Sequence, residues 1–188
     1  MQSHWPMLVE ITEAEYGVKI DLRYATSDNF TGVPVYRADA KCLLHPEAAE
    51  KLKVAIALAK AQCLSFILFD AYRPTEAQWK LWNHTPDPSF LADPNKGSPH
   101  SRGTAIDLNL TKDGKELDMG TAFDSFTPLS HHGNMEISAE AQKNRLLLMG
   151  IMTTAGWDFY RNEWWHYQLF NSRNYELYSD AQAGGWVM

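Results

Sequence analysis

The sequence predicts a single domain of the α+β class, built from a mainly antiparallel sheet with helices packed against it. Apolar residues recur with helical spacing in two segments, 46–63 and 138–156, whereas the stretches 66–69 and 104–110 have the apolar patterns of strands. A Lys-Asp-Gly-Lys turn at 112–115 joins the second strand to the segment after it, as in a hairpin. Helices mixed with hairpins are typical of α+β domains.

Length and composition are those of one globular domain. The chain has 188 residues, of which 45% are hydrophobic and 12% aromatic, which is enough for one sizeable core. Because no linker or internal repeat divides it, we expect one domain over residues 1–188. The formal net charge is -6 and the cationic residues are scattered, so the basic surface of a nucleic-acid-binding protein is absent from the sequence. Nucleic acid is therefore not an expected partner.

The N-terminal residues and the two cysteines indicate the cellular compartment in which the protein is expected. Residues 1–6 have neither the basic region nor the apolar run of a signal peptide or membrane span, so we expect a cytoplasmic protein without a membrane partner. Cys42 and Cys63 do not form a Cys-x-x-Cys pair, which argues against a thiol metal site or a disulfide framework. Both are predicted to be buried or semi-buried thiols.

The first predicted strand is followed by a loop. Apolar and polar residues alternate from Val18 to Tyr24, which predicts a strand with one buried face. The loop-forming sequence at 28–32 then separates Tyr24 from Tyr36. Either these tyrosines border a loop that closes over a small site, or they are ordinary half-buried aromatic residues.

A helix, a strand and a second helix are predicted next. Pro46 suits the first turn of a helix, whose apolar face continues to Cys63. The apolar strand at 66–69 leads into Asp-Ala-Tyr-Arg-Pro at 70–74, where the chain must turn. A helix at 75–84 follows.

The remaining segments alternate between loop, helix and strand. Residues 85–97 are rich in Pro, Asp and Asn and predict a surface loop, either a lid or a plain connection. A helix with Ser138 as N-cap is predicted to stop at Gly156. This helix carries the apolar residues Leu146, Leu147, Met149, Ile151 and Met152 and is expected to be part of the scaffold. The run 164–169 has the composition of a strand.

Two short clusters combine an acid with an imidazole. His100 and Asp107 lie seven positions apart around Gly103, and Glu163 precedes His166 by three positions. Hydrolytic zinc sites use three imidazole or carboxylate ligands, leave one position for water and keep a further carboxylate as general base. His100, Asp107 and His166 fit the ligand roles, and Glu163 fits the base. On spacing alone, satisfied structural roles are the commoner explanation for such pairs.

Strand periodicity predicts how these side chains point. Alternation in the strand at 104–110 places Asp107 on the face opposite the apolar core residues. A strict two-residue period would put Glu163 and His166 on opposite faces, so we expect Glu163 in a loop or bulge that enters the strand.

Several dispersed motifs together suggest a family. A Ser-x-His-x-x-Gly-x-Ala-x-Asp pattern spans 98–107, and Glu-x-x-His spans 163–166. Further blocks lie at 24–32, 70–74, 119–124 and 130–132. With these motifs the sequence resembles the D-alanyl-D-alanine dipeptidases of the VanX type, zinc peptidases related to the D,D-carboxypeptidases. The blocks follow the family's order over most of the chain. The match at Ser130, His131 and His132 implies no role.

The resemblance implies roles for further residues. Arg73 matches the family's transition-state arginine, whose guanidinium fork would bind the oxyanion; a structural ion pair is the alternative. Asp124 and Tyr24 would lie at the amino end of the substrate. Ser98 and Tyr36 would lie at its carboxylate end.

The implied activity is hydrolysis of the free dipeptide D-Ala-D-Ala to two D-alanines, with one zinc ion per chain. One alternative is a related peptidoglycan D,D-carboxypeptidase or endopeptidase, which would need export or a wall-binding module that we do not find in the sequence. Another is a catalytically silent zinc-binding module of the same fold that serves protein interaction. Glu163 and Arg73 argue against the silent module, since it would use neither a base nor an oxyanion donor.

Overall fold

A computed structural model describes residues 7–188, and the prediction made for residues 1–6 lies outside this part. The helices are α1, Glu13–Tyr16; α2, Pro46–Ala61; α3, Thr75–His84; and α4, Ala139–Thr154. The strands are β1, Val9–Glu10; β2, Lys19–Ile20; β3, Leu43–Leu44; β4, Ser65–Asp70; β5, Ala105–Lys112; β6, Lys115–Glu116; β7, Asp158–Phe159; and β8, His166–Gln168.

One six-stranded sheet forms the centre of the described chain. Its strands follow the order β2, β4, β5, β8, β7, and β6 pairs with β5. The β2–β4 pair is parallel, whereas the other pairs of this sheet are antiparallel. β1 and β3 form a separate antiparallel pair. The predicted α+β class with a mainly antiparallel sheet is therefore confirmed.

Strand β5 lies between β4 and β8 and is buried on both faces. All of its residues except the last are buried, and Asp107 is only 2% exposed. The prediction that Asp107 points away from the apolar core residues agrees with its position, because Asp107 lines a cavity whereas Ile106 and Leu108 belong to the core. The hairpin at its end is confirmed: Asp113 and Gly114 have φ of 50° and 74°, the left-handed conformation of a tight two-residue turn.

Helix α2 packs against β4 and α4 through its small residues. Its buried positions are Ala48, Ala49, Leu52, Ala55 and Ala59. The prediction for Cys63 is wrong, because the helix ends at Ala61 and Cys63 is exposed, whereas Cys42 is buried as expected.

Helix α4 has the predicted N-cap, and two of its apolar residues are exposed. The Ser138 Oγ accepts a hydrogen bond from the Ala141 N–H at 3.1 Å. Leu146 and Leu147 are 63% and 37% exposed, so these two apolar residues lie outside the buried face of the helix. The buried face follows steps of three and four residues: Ala141, Asn144, Arg145, Leu148, Ile151 and Met152.

The predicted strand at 18–24 is mostly irregular. Only Lys19 and Ile20 pair with β4, and Arg23–Ala25 is a 3-10 turn. Val18, Leu22 and Tyr24 are nevertheless buried. The alternation of apolar and polar residues thus predicted which of these side chains are buried, but it did not predict the strand pairing. Likewise, only His166–Gln168 of the run 164–169 joins the sheet.

The predicted helix at 75–84 is confirmed as α3, and residues 85–97 form a loop. Within residues 7–188, none of the helices is both long enough and apolar enough to span a membrane.

Candidate active site

The register of the sheet brings three polar side chains together. Asp107 of β5 is paired with His166 of β8 on one side and with Asp70 of β4 on the other. Residues directly opposite each other on antiparallel strands project to the same face. Asp70, Asp107 and His166 therefore share the face that carries the site, opposite Leu108 and the apolar core.

His100 reaches the same point from a tight turn. It opens the 3-10 turn His100–Arg102, which Gly103 ends with φ of 66°. A Cβ on Gly103 would lie 2.6 Å from Leu8 Cδ2 and 2.9 Å from the His45 nitrogen, so only glycine fits there. Ser98 stabilises the turn, because its Oγ accepts a hydrogen bond from the His100 N–H at 3.2 Å. This accounts for the serine and glycine of the motif around His100.

Three potential ligand atoms form a nearly equilateral triangle. The distances are 3.3 Å from His100 Nε2 to Asp107 Oδ1, 3.2 Å from Asp107 Oδ1 to His166 Nδ1, and 3.1 Å between the two imidazole nitrogens. Ligand atoms about 2.0 to 2.1 Å from a tetrahedral zinc ion lie roughly 3.3 Å from one another. The triangle therefore has the dimensions of a zinc ligand set.

Hydrogen bonds behind the histidines fix which nitrogens carry protons. His100 Nδ1 lies 2.7 Å from the Ala71 carbonyl, which can only accept, and His166 Nε2 lies 2.9 Å from Gln168 Oε1. With these protons directed outward, each ring turns a lone pair towards Asp107. Two lone pairs and a carboxylate oxygen this close together repel one another unless a cation lies between them. The donor set thus fits a metal ion, and it is the one such cluster within residues 7–188.

Glu163 lies beside this triangle. It is in the loop before β8, as predicted, held by a turn in which its N–H donates to the Tyr160 carbonyl at 3.2 Å. Its Oε2 is 3.9 Å from His166 Nδ1. Burial raises the pKa of Glu163 well above its usual range, and the charges of Asp107 and Asp124 raise it further. A buried carboxylate next to the ligand atoms, outside the triangle itself, is placed as a general base would be.

Arg73 is ion-paired and also lines the cavity. Its Nε and Nη2 donate to Asp70 Oδ2 at 2.9 and 2.8 Å, and its Nη1 donates to Gln78 Oε1 at 2.8 Å. Nη2 is also 3.6 Å from Asp107 Oδ2. The structural ion pair is thus present, and it holds the guanidinium in one orientation beside the ligand triangle.

Asp124 and Tyr24 form a second polar pair in the cavity wall. The Tyr24 hydroxyl donates to Asp124 Oδ2 at 2.6 Å. Burial raises the pKa of Asp124 to about 8, and the charge of Asp107 adds to this. A partly buried carboxyl with a single hydroxyl partner is a good acceptor for a cationic group.

Ser98 and Tyr36 differ in their relation to the cavity. Ser98 lines it, next to His100. Tyr36 is buried behind Asp70, to which its hydroxyl donates at 2.8 Å, and it is not part of the cavity wall. A role for Tyr36 at the carboxylate end of a substrate therefore stays a prediction. Tyr36 supports Asp70, which in turn holds Arg73.

The cavity enclosed by these residues has a volume of about 340 Å³, near the lower end for ligand pockets. The loop 85–97 forms one of its walls. The Ser89 carbonyl of this loop accepts hydrogen bonds from Tyr160 and Asn162, at 2.8 and 3.1 Å, and the Ala92 carbonyl accepts one from Gln78 at 2.8 Å. Hydrogen bonds thus hold this loop to the residues that precede Glu163 and to the Gln78 side chain that binds Arg73.

Sequence reasoning did not identify several residues that support or line the site. Asp70 was in a matched block without a role, and its position after a buried strand was the available signal. Gln78 and Arg102 carried no signal, since a hydrogen bond to a side chain of another element or to a backbone carbonyl is not visible in the sequence. Gln168 lies two positions after His166 on the same face of β8, and that spacing was the available signal. The ring of His132 packs on Phe159, with ring centroids 5.1 Å apart. The backbone N–H of His132 donates to the Arg161 carbonyl, in the loop that carries Glu163.

Comparison with known proteins gives concordant matches. The family model described as D-ala-D-ala dipeptidase matches residues 6–183. The chain is 42% identical over 174 residues to the D-alanyl-D-alanine dipeptidase of Escherichia coli (strain K12), covering 92% of this chain and 90% of that protein. It is 37% identical over 180 residues to the enzyme of the same name from Enterococcus faecium, covering 85% and 89%. A solved vancomycin-resistance D,D-pentapeptidase in complex with Zn(II) is 16% identical with a TM-score of 0.46, covering 90% of each chain.

Proposed function

This chain belongs to the M15 peptidase family of D-Ala-D-Ala dipeptidases and is a peptidase; on that premise we propose that it hydrolyses free D-Ala-D-Ala to two D-alanines in a zinc-dependent reaction. The observation that carries the proposal is the convergence of two imidazole lone pairs and one carboxylate oxygen, 3.1 to 3.3 Å apart, beside the buried Glu163.

One zinc ion per chain would be held by His100, Asp107 and His166. When bound, zinc acidifies water, polarises the peptide carbonyl, and by its charge favours the ionised form of nearby Glu163. The tautomer that the Ala71 carbonyl and Gln168 favour directs the proton of each ring away from Asp107, which leaves the inner ring nitrogen free to bind a metal.

Glu163 would act as the general base. Its carboxylate takes a proton from the attacking water and gives it to the nitrogen of the departing D-alanine when the peptide bond breaks. Burial of Glu163 keeps bulk water away from this proton.

Arg73 would bind the oxygen that becomes negative during attack. Its bonds to Asp70 and Gln78 use three of the five guanidinium N–H donors, which leaves one on Nη1 and one on Nη2 for the substrate. Because the guanidinium is already fixed, no reorientation is needed as the charge develops.

Substrate recognition would start at the amino end. Asp124, with Tyr24 beside it, would pair with the ammonium group, and Ser98 would offer its hydroxyl to the carboxylate. A clamp for a free ammonium group favours a dipeptidase over an enzyme that trims longer stems, because an acylated substrate has no such charge. A cytoplasmic location stays a prediction.

The test is release of D-alanine from D-Ala-D-Ala by the zinc-loaded protein, with and without a chelator. Glu163→Gln should retain zinc but lose on the order of a hundredfold or more in turnover, since it keeps the shape of the side chain but cannot accept the proton. His166→Ala should lose the metal, as measured by elemental analysis. Undiminished turnover in Glu163→Gln, or an unchanged zinc content in His166→Ala, would remove that residue from its role.

A further inference from the structure

The segment between β6 and α4 carries Asp124 into the cavity wall, and residues 118–131 of this segment are called the Asp124 loop below. Asp124 has φ of 58°, in the left-handed region. That conformation is unfavourable for a residue with a side chain and persists only where the surrounding structure holds it. Contacts of the loop as a whole must therefore hold Asp124 in place.

We propose that Arg145 and Ser130 are positioning residues, which hold the Asp124 loop so that Asp124 reaches the amino end of the substrate. This inference rests on the proposed function. It gives a role to Ser130, whose block matches the family without an implied role, and to a buried arginine outside all of the matched motifs. Neither side chain lines the cavity, so both would act through Asp124.

Arg145 binds both ends of the Asp124 loop. It is a buried residue of α4, only 4% exposed, and its guanidinium donates to three backbone carbonyls. Nε donates to Met119 at 2.7 Å, Nη2 to Leu129 at 2.8 Å and Nη1 to His131 at 3.0 Å. Within residues 7–188, Arg145 takes part in no ion pair, unlike Arg73. One rigid, planar group thus fixes the two ends of the loop relative to each other.

Ser130 links the middle of the loop to the segment of the general base. Its side chain is fully buried, and its Oγ donates to the carbonyl of Ser125, the residue after Asp124. Because the Ser130 proton is used there, the Thr121 hydroxyl is the donor in its contact with Ser130 Oγ at 2.9 Å. Thr121 Oγ1 in turn accepts a hydrogen bond from Trp164 Nε1 at 2.8 Å. A directed chain of hydrogen bonds therefore runs from the residue next to the general base to the backbone beside Asp124.

Aromatic residues on both sides of Asp124 add apolar contacts. Phe123 stacks on Phe69 of β4, with ring centroids 4.9 Å apart. Phe126 stacks on Phe90 of the loop 85–97, with ring centroids 4.8 Å apart. These contacts remain when a polar contact of the Asp124 loop is removed. We therefore expect variants that lack such a contact to fold, with the carboxylate displaced.

The test measures the preference of the protein for a free amino group. The dissociation constants of D-Ala-D-Ala and of N-acetyl-D-Ala-D-Ala, which lacks the positive charge, are measured by calorimetry on zinc-loaded Glu163→Gln, so that turnover does not enter. The quantity compared is their ratio, acetylated over free. An unfolded fraction weakens the apparent binding of both dipeptides equally, so a loss of stability alone leaves this ratio unchanged.

Adding Arg145→Met keeps the length of the side chain but removes its donors. It should lower the ratio about tenfold or more, since a buried charge that no longer meets its partner loses most of the pairing. Ser130→Ala should lower it about threefold to tenfold, as for one hydrogen bond. In both variants the free dipeptide should bind more weakly, while binding of the acetylated dipeptide stays nearly the same. Arg145→Lys keeps a charged donor and should restore part of the preference.

Lys143→Met is the matched control, because it removes an exposed cation from the same helix, and it should leave the ratio intact. Asp124→Asn gives the ratio that remains when the amino-end contact is lost. The inference is overturned if Asp124→Asn leaves the ratio intact, or if Ser130→Ala and every folded Arg145 variant keep the ratio of the parent. Failure of the parent protein to hydrolyse D-Ala-D-Ala would instead overturn the proposed function, because the binding comparison does not depend on hydrolysis.

Discussion

Gln168 sets the orientation of one candidate metal ligand, so we expect Gln168→Leu to weaken zinc binding although no ligand is removed. Its Oε1 accepts the proton of His166 Nε2 at 2.9 Å, which leaves the lone pair of Nδ1 directed towards His100 and Asp107. Leucine offers no acceptor. The tautomer with its proton on Nδ1, which cannot bind the metal at that atom, then becomes competitive.

The expected loss follows from the burial of His166. Removing the partner of a metal-binding histidine typically costs tenfold to hundredfold in metal affinity, which corresponds to about 1.4 to 2.8 kcal/mol. An N–H left without an acceptor in a buried site costs about 1 to 3 kcal/mol. Because the His166 side chain is only 8% exposed, little water can replace Gln168, and we expect a loss in the upper half of that range.

The assay is the zinc dissociation constant, measured by competition with a chromophoric chelator at neutral pH. Gln168→Glu keeps an acceptor for the His166 proton and should bind zinc at least as tightly as the parent. Gln62→Leu changes an exposed glutamine outside the cavity wall and should leave the affinity unchanged. If Gln168→Leu bound zinc as tightly as the parent, the tautomer of His166 would not depend on this hydrogen bond.

Three further predictions concern the substrate, Arg73 and the pH dependence of stability. N-acetyl-D-Ala-D-Ala should be cleaved about thirtyfold to several thousandfold less efficiently than D-Ala-D-Ala, because the lost pairing with Asp124 costs roughly 2 to 5 kcal/mol. If the ratio of kcat/KM for the free and the acetylated dipeptide were unchanged in Asp124→Asn, another residue would make the ammonium contact. Gln78→Leu should lower kcat about tenfold or more with zinc content unchanged, because Arg73 loses a hydrogen-bond acceptor. Gln78→Glu keeps an acceptor and should retain more activity. Equal kcat values in the two variants would exclude the orientation of Arg73 as the cause. Burial, with the charge of Arg145, lowers the pKa of His132 to about 4. The neutral ring therefore contributes stability above about pH 6.5 that is lost as the pH falls towards 4, at most roughly 3 kcal/mol. The melting temperature of His132→Phe should therefore fall less steeply with decreasing pH over this range than that of the parent. Equal slopes of melting temperature against pH in the two proteins would contradict this.

Local sequence signals predicted several helices and turns of the fold well. The helix at 75–84 and the N-cap at Ser138 depend on contacts between residues close in the chain, which a sequence displays directly. The same holds for the Asp113 turn, because two adjacent residues determine its backbone. The residues of the ligand triangle were found through motif spacing and family resemblance.

Features that depend on tertiary packing were predicted less well. Leu146 and Leu147 are apolar, yet the side of α4 that faces the sheet is decided by where the helix docks. The hydrogen bond between the Tyr36 hydroxyl and Asp70 joins residues far apart in the chain, and no local pattern indicates it. Gln168 lies two positions after His166 on one face of β8, a spacing that the sequence displays, but which face of β8 carries the site is decided by its pairing with β5.

The position of Asp70 shows why strand periodicity alone could not predict the site. Leu68 is paired with Leu108, and both belong to the apolar core. Continued two-residue alternation from Leu68 would turn Asp70 to the core face, opposite Ile106.

The register shifts by one residue between Leu68 and Asp70, so that Asp70 is paired with Asp107 instead. The extra residue, Phe69, takes up the irregularity, as in a β-bulge. The shift turns the Asp70 carboxylate to the site face, where it meets Arg73 at 2.8 Å. Without the bulge, a carboxylate would be buried in the core without a partner, and the guanidinium beside Asp107 would lose the group that orients it. A single inserted residue in β4 thus connects the burial pattern of the sheet to the placement of the proposed oxyanion donor.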